Sequence, residues 1–343
     1  MHAAGEKTPG PKTPTVADVA RLAGVSRQTI SNVLNAPERV RPETRERVER
    51  AIAELGYRPN RVAQSLRAQA SRMIGVRIEP ELPQYLGTIH DRFLHALAQA
   101  GREQDHHLLL YTADDPETEI ATCVSMHRTG AVDGIVIYGI FRDDERPPAL
   151  IRAGIPFAAF GRTGVDHQHP WVDVDNVAGT RAVVDHLVAR GHRRIAYIGW
   201  PEGAATGDRR AEGWRTGLDK HGLLAECHDL DLRGDDSIAN GAQLATVLLD
   251  RKRKPTAIVA ATDTLAVGVL RTLRARGTNC AVVGFDDSPT ARVLDLSSVR
   301  QPIEAVGHAV VRALLTKDDE PTGQLFPPTL IVRASSAGPA PGA

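Results

Sequence analysis

The chain has 343 residues, 42% of them hydrophobic and 24% charged, with 42 Lys and Arg balancing 42 Asp and Glu. That length accommodates two or three cores of a soluble globular protein, and no run of ~18 apolar residues is present to span a membrane. Cys123, Cys227 and Cys280 match no disulfide or zinc spacing, so buried free thiols are expected, with no metal and no cofactor.

The neutral sum conceals an asymmetry. Through Arg72 there are thirteen Lys and Arg against seven Asp and Glu, and the remaining residues reverse this at 29 against 35. A basic piece on an acidic body is the footprint of a head that binds a polyanion, although a solvated Arg-rich surface gives the same count. The first stretch, "MHAAGEKTPGPKTPT", lacks the apolar centre of a signal peptide. Residues 1–14 are expected as a disordered tail and the protein as cytoplasmic and nucleoid-associated.

Residues 15–58 carry the start and stop signals of a small helical domain. In "TVADVARLAGVSRQTISNVLN", Thr15 caps a first helix with Asp18 at the capping-box spacing, and Val16, Val19, Ala20 and Leu22 are its expected buried side. Gly24 permits a sharp turn and Ser26 caps a second helix running to about Leu34. Two short helices around such a turn are the layout of a helix-turn-helix, whose second helix enters the major groove, although a plain helical hairpin shares this spacing. Arg27, Gln28 and Asn32 on its polar side have the chemistry to read base edges: arginine for guanine, glutamine or asparagine for adenine. Thr15, Ser26, Thr29, Ser31 and Asn35 suit phosphates. Pro42 opens a third helix with Val48, Ala51, Ile52 and Leu55 on one stripe, and Gly56 ends it.

The hinge over residues 59–71 opens in "YRPNRVAQSLRA" with Pro59, and its helix-capable run from Asn60 to Arg67 is too short to be stable alone. Leu66 beside Asn60, Arg61 and Arg67 gives an apolar wedge with phosphate anchors, suited to a minor-groove step; a flexible linker is the plainer alternative. Here the sequence closely resembles the DNA-binding head and hinge of the lactose-repressor (LacI/GalR) family of bacterial transcription regulators, without a gap from Thr15 through "LRA". The resemblance implies a homodimer on a palindromic double-stranded operator. It puts Arg27, Gln28 and Asn32 at base-reading positions and Leu66 at the intercalating leucine.

From Arg72 short apolar runs alternate with helical stretches. "MIGVRI", "HLLLYT", "GIVIYG" and "PFAAFG" are candidate strands, and after "PWVDVDN" the pattern restarts with "RRIAYIGW", "ECHDLDL", "TAIVAA" and "CAVVGFDD". Such alternation predicts two doubly wound parallel-sheet subdomains with a ligand cleft between them. The predicted architecture is an all-α helix-turn-helix head on an α/β body over 72–333, which the family resemblance implies is periplasmic-binding-protein-like with crossovers between its lobes. Its N-subdomain is expected over 72–171 and 302–325, and its C-subdomain over 172–301 and 326–333. The tail over 334–343 lacks heptad leucines, which argues against a coiled-coil tetramer.

"GHRRIAYIG", "DRRAEGWRTGL", "VVGFDDSP" and "LSSVRQPIEAVG" also occur in the family's order, and "WVDVDN" with "GHRRIAYIGWPEG" is similar to sugar-responsive actinobacterial members. The resemblance implies a small, sugar-like effector. It assigns Arg210 as the clamping arginine, Asp286 after Phe285 as a hydroxyl binder, and Gln301 as a further contact. Arg162 in "FGRTG" is an added candidate, and Thr262-Asp263 stands where the family often has Asn-Asp, which shortens or removes the contact near Asp263. Repression relieved by a sugar is the leading expectation; a corepressor such as a purine fits the same residues. The chain has no phosphate loop, nucleophile elbow or HExxH motif, and Asp114-Asp115, His106-His107 and "DHQHP" lack a matching cluster, so an enzyme is not expected. A stand-alone solute-binding protein would share the body but not the basic head.

Overall fold

A computed structural model describes residues 14–57, 70–78, 89–163, 169–316 and 323–338. They form two compact units that part between Ser71 and Arg72.

Among its described residues the first unit has three α-helices, α1 (Val16–Ala23), α2 (Arg27–Asn35) and α3 (Pro42–Leu55), with a short 3-10 turn over Pro37–Arg39. Gly24 adopts φ 63°, the left-handed conformation that lets the chain turn between α1 and α2. Val19, Ala20 and Ala23 on α1 meet Ile30 and Val33 on α2 and Val48 and Ala51 on α3 in one small core, which Tyr57 completes. Leu22, expected inside, is 46% exposed. At 3.6 residues per turn, positions 16, 19, 20 and 23 share one stripe, and position 22 falls outside it.

The second unit contains two six-stranded sheets. β1 (Met73–Arg77), β2 (His107–Tyr111), β3 (Gly134–Ile137), β4 (Phe157–Phe160) and β5 (Trp171–Val174) lie in the first, and β6 (Ile195–Gly199), β7 (Asp231–Arg233), β8 (Ala257–Ala260), β9 (Ala281–Phe285) and β10 (Ser297–Arg300) in the second. β11 (Gly323–Phe326) returns to the first sheet and β12 (Thr329–Ile331) to the second, giving orders β11-β5-β4-β3-β1-β2 and β12-β10-β9-β8-β6-β7. All pairings are parallel except β10 with β12.

Successive strand residues point to opposite faces, and both faces of the first sheet are covered. Val136 joins Phe93 and Leu97 of the Ile89–Glu103 helix and Val306 and Val310 of the Ile303–Leu315 helix. Ile135 and Ile137 turn the other way, towards Cys123 and Leu150. In the second lobe the Asn176–Ala189 and Ala205–Lys220 helices pack so closely that a side chain on Gly213 would lie 2.4 Å from the Val177 carbonyl. Cys123, Cys227 and Cys280 are free and buried.

The chain passes between the lobes at Asp175, at Gln301-Pro302 and at Pro327-Pro328. These passes correct the expected boundaries: residues 172–174 belong to β5, and Phe326 pairs with Val174, so both lie in the first sheet. The expected tail also begins later than 334. Ser335 Oγ donates to the Val282 carbonyl (2.6 Å), and Ser336 Oγ meets Ser297 Oγ (2.7 Å), so a short Ala334–Ala337 helix docks on the second lobe.

Candidate functional site

α2 is built to offer one polar side. Ile30 and Val33 anchor it, and its first turn is closed by the Thr29 N–H donating to Ser26 Oγ at 3.1 Å, with the two hydroxyls 2.9 Å apart. Arg27 and Gln28 are exposed and Asn32 half-buried. Gln28 Nε2 donates to Asn32 Oδ1 at 3.1 Å, so the two amides one turn apart hold each other in register. The phosphate candidates Ser26 and Thr29 are thus engaged in the cap, and the Thr15 hydroxyl and N–H both bind the Asp18 carboxylate. α2 ends at Asn35, and Ser31 lies on it. Asn60, Arg61 and Leu66 lie outside the described residues.

In the second unit, a cleft of about 290 Å³ lies between the lobes, near the lower edge of small-molecule sites, ~300–1,000 Å³. Its two faces differ. The first lobe contributes Ile89, His90, Phe93, Tyr138 and Phe160; the second contributes the polar Arg210, Asp236, Thr262, Asp263, Asp286 and Ser288 together with Trp200, Ile238 and Val267. Gln301 lines it from a crossover. The aromatic wall is pre-packed: Phe93 lies 4.7 Å from Phe160 and 6.0 Å from Tyr138 between ring centroids, and the Tyr138 hydroxyl donates to the Arg77 carbonyl at 2.7 Å.

Arg210 is the hub of the polar wall. Its guanidinium stacks 3.6 Å over the Phe285 ring, its Nε donates to Asn176 Oδ1 (2.9 Å), and its Nη1 donates to the Ala261 carbonyl. The remaining nitrogen faces Asp286 at 3.5 Å. Asp208, two residues before Arg210, pairs with Arg142 (2.8 Å). Gln301 Nε2 donates to Asp286 Oδ1 at 2.6 Å, so Asp286 is held from two sides. Phe285 is buried beneath the guanidinium and steadies Arg210 rather than facing the cleft.

Three carboxyl groups share this wall with one arginine. Burial pushes Asp286 up to about 7 and the neighbouring Asp263 adds to the rise, while Arg210 and Gln301 oppose it. Burial also lifts Asp263 to about 6, against hydrogen bonds from Ser298 and Ser288. Asp236 is raised by burial too, opposed by Thr262, Arg210 and Trp200. A carboxyl poised near neutrality either donates or accepts a hydrogen bond, as a polyhydroxylated ligand requires. Asp263 is largely consumed by the fold, its oxygens accepting from Ser298 Oγ (2.6 Å) and the Ser288 N–H (2.7 Å). Thr262 caps the Asp263–Arg276 helix and donates to Asp236 at 2.5 Å.

The Asp286-Asp287 turn is strained, with φ of 105° and 49° at two non-glycine residues. Asp287, fully buried, carries ion pairs to Arg292 (3.2 Å), Arg300 (2.7 Å) and Arg333 that hold the turn in place. Arg92 of the first lobe donates to the Asp286 carbonyl at 3.3 Å.

Arg162 is not part of the cleft lining. Its Nε binds Asp173 at 2.9 Å and its guanidinium lies over Trp171. Sequence reasoning missed His90, Phe93, Tyr138, Phe160, Trp200 and Asp236. No titratable cluster with metal-binding geometry occurs among the described residues. No described helix is long and apolar enough to cross a membrane.

Comparison with known proteins gives a consistent result. Residues 15–60 match the model of bacterial regulatory proteins of the lacI family, and residues 184–336 match a periplasmic binding protein-like domain. The chain is 34% identical over 336 residues to the HTH-type transcriptional regulator CelR of Thermobifida fusca, covering 94% of this chain and 96% of that one. Among solved structures it is similar to a transcriptional regulator CelR–cellobiose complex, at 33% identity and a TM-score of 0.72, covering 94% of this chain and 99% of that one. It is also similar to the lac repressor dimer bound to operator and the anti-inducer ONPF, at 26% identity and a TM-score of 0.80, covering 95% and 99%.

Proposed function

The chain belongs to the lacI family of bacterial regulatory proteins, and from that premise we propose that it is a dimeric repressor whose operator is released when a neutral sugar enters the cleft. The protein is a helix-turn-helix transcription regulator and not an enzyme. Two copies of α2 read half-sites in successive major grooves of a palindrome, ~34–36 Å apart. Arg27, Gln28 and Asn32 contact base edges, and the hinge with Leu66 enters the central minor-groove step. Such work on DNA places the protein in the cytoplasm, at the nucleoid.

The observation that carries the effector reading is the meeting of aromatic rings, Phe93, Tyr138, Phe160 and Trp200, with polar groups centred on Arg210, Asp286 and Gln301. A sugar ring has the matching pair of surfaces: C–H patches that lie on aromatic rings, and hydroxyl groups that take bidentate hydrogen bonds. Cellobiose, the ligand in the CelR complex, is the first compound to test. Selection of bound DNA from a random pool should recover a palindrome, and cellobiose or a related disaccharide should release it in a gel shift. Recovery of only asymmetric sites overturns the dimeric reader. Tightened DNA binding with a purine base, and no response to sugars, replaces the inducer with a corepressor.

A further inference from the structure

We propose that residues 140–142 and 203–205 form a clasp between the lobes along one wall of the cleft, with Arg142 and Asp208 as positioning residues that set how long the effector stays enclosed. The effector half of this proposal rests on the reading of the cleft given above; the clasp itself does not.

Residues 140–142 follow β3 of the first lobe, and residues 203–205 open the Ala205–Lys220 helix of the second. Phe141 and Ala204 nevertheless pair as an antiparallel β-bridge. The Arg142 N–H donates to the Gly203 carbonyl at 3.0 Å, and the Ala205 N–H donates to the Ile140 carbonyl at 3.3 Å. A side-chain bond crosses at the same place: Arg142 Nη2 donates to Asp208 Oδ2 at 2.8 Å, and that oxygen also accepts the Gly203 N–H at 3.1 Å. Both strips are anchored behind, since Ile140 is buried in the first lobe and Ala205 in the second. Phe141 itself is 56% exposed, so polar contacts and not apolar burial hold the two strips together.

The clasp is continuous with the ligand walls. Tyr138 and Gly139 line the cleft immediately before it, and Thr206 and Arg210 immediately after. The first turns of the Ala205–Lys220 helix therefore carry three successive side chains with different tasks. Asp208 takes Arg142, Arg209 donates to the carbonyls of Arg162 (3.1 Å) and Thr163 (3.2 Å) in the first lobe, and Arg210 faces the cleft. A ligand that draws on Arg210 tightens the same helix end that the first lobe grips. Arg142 is solvent-exposed at 60% and Asp208 far less so, which makes the clasp reversible rather than a lock.

The test uses the full chain. Phe141 and Ala204 are flanked by their hydrogen bonds rather than sharing them, the arrangement in which opposed Cα atoms lie ~4.5 Å apart, within the ~4.4–6.8 Å of a disulfide. The Phe141→Cys/Ala204→Cys variant should cross-link within one chain on mild oxidation, the three native thiols being buried. Adding Arg142→Ala should slow cross-linking roughly two- to fivefold. No cross-link, or a rate indifferent to Arg142, overturns the clasp. With cellobiose as probe, Arg142→Ala and Asp208→Asn should each speed dissociation by roughly the same two- to fivefold, and the double variant should be no faster than either. Additive effects, or unchanged dissociation rates beside normal cross-linking, overturn the positioning role. Failure of cellobiose and every other tested sugar to bind the unmodified protein overturns the effector reading and leaves the cross-linking result standing by itself.

Discussion

The two sheets of the body run in the same strand order, β2-β1-β3-β4-β5 in one and β7-β6-β8-β9-β10 in the other, and part only at the last strand, parallel for β11 and antiparallel for β12. Their cleft faces differ in polarity. The first lobe presents Phe93, Tyr138 and Phe160, rings continuous with its core; the second adds Trp200, Ile238 and Val267 but concentrates the polar groups, Arg210, Asp236 and Asp286, held in a dense network. The backbone plan therefore fixes where a ligand sits, at the carboxyl ends of the strands, while the residues there decide which side of the ligand each lobe meets. The buried acids do not divide by lobe. Asp144 in the first lobe and Asp287 in the second are held below the usual carboxylate range by their arginines, whereas burial lifts Asp173 in the first lobe and Asp286 and Asp263 in the second.

That contrast can be broken experimentally. The largest effect is expected for Phe93→Ala, which empties a fully buried site in the first lobe and should cost about 3–5 kcal/mol in denaturant unfolding. A cost below about 1 kcal/mol would make Phe93 a ligand wall and not a piece of core. Arg210→Ala comes next: the loss of charge-assisted contacts should weaken effector binding about 100-fold in calorimetry, with operator affinity in its absence retained. An affinity within about twofold of the original would move the polar half of the site elsewhere.

The titration difference gives a third test. Because Asp286 and Asp263 bind protons more tightly folded than unfolded, their contribution to stability is complete below the unfolded value of ~4 and drains as pH rises through about 6 and 7. The free energy of unfolding in urea should accordingly fall between pH 5 and 8, by an amount on the order of 4 kcal/mol, and Asp286→Asn should flatten the fall. A rising profile over this range contradicts the assignment. The smallest effect is expected for Tyr138→Phe: loss of the bond to the Arg77 carbonyl should cost about 1 kcal/mol of stability and leave effector affinity almost unchanged. A tenfold loss of affinity would mean that the first lobe also supplies polar contacts, and the division of labour would fail.

Legibility in the sequence followed the range of the interactions involved. The head was readable because its signals are local: Thr15 with Asp18, Gly24, and Ser26 with Thr29 all act within a few residues. The alternating strands were readable for the same reason, whereas β11 and β12 are short, partly exposed strands whose partners lie far away in the chain. In the cleft, Arg210, Asp286 and Gln301 came from family resemblance and not from spacing. Phe93 and Tyr138 escaped because a hydrophobic period cannot separate a ring that closes a core from one that also borders a cavity. Arg162 follows a strand as a ligand-binding arginine would, and its ion-pair partner Asp173, eleven residues on, shows only in the fold.

The return of the chain at Gln301-Pro302 has a consequence for synthesis. The core of the first lobe includes Ile303, Val306, Val310 and Val311, and its edge strand is β11, so a domain that begins at Met73 is finished only by residues beyond 300. The three-helix head needs nothing later than Tyr57 for its own core. On the ribosome the head can be folded while the first lobe still waits, one sheet face covered only by the Ile89–Glu103 helix, for a second helix not yet made. Slow or interrupted translation between residues 200 and 300 would leave that face half-covered, and this is the interval in which a nascent chain most needs a chaperone.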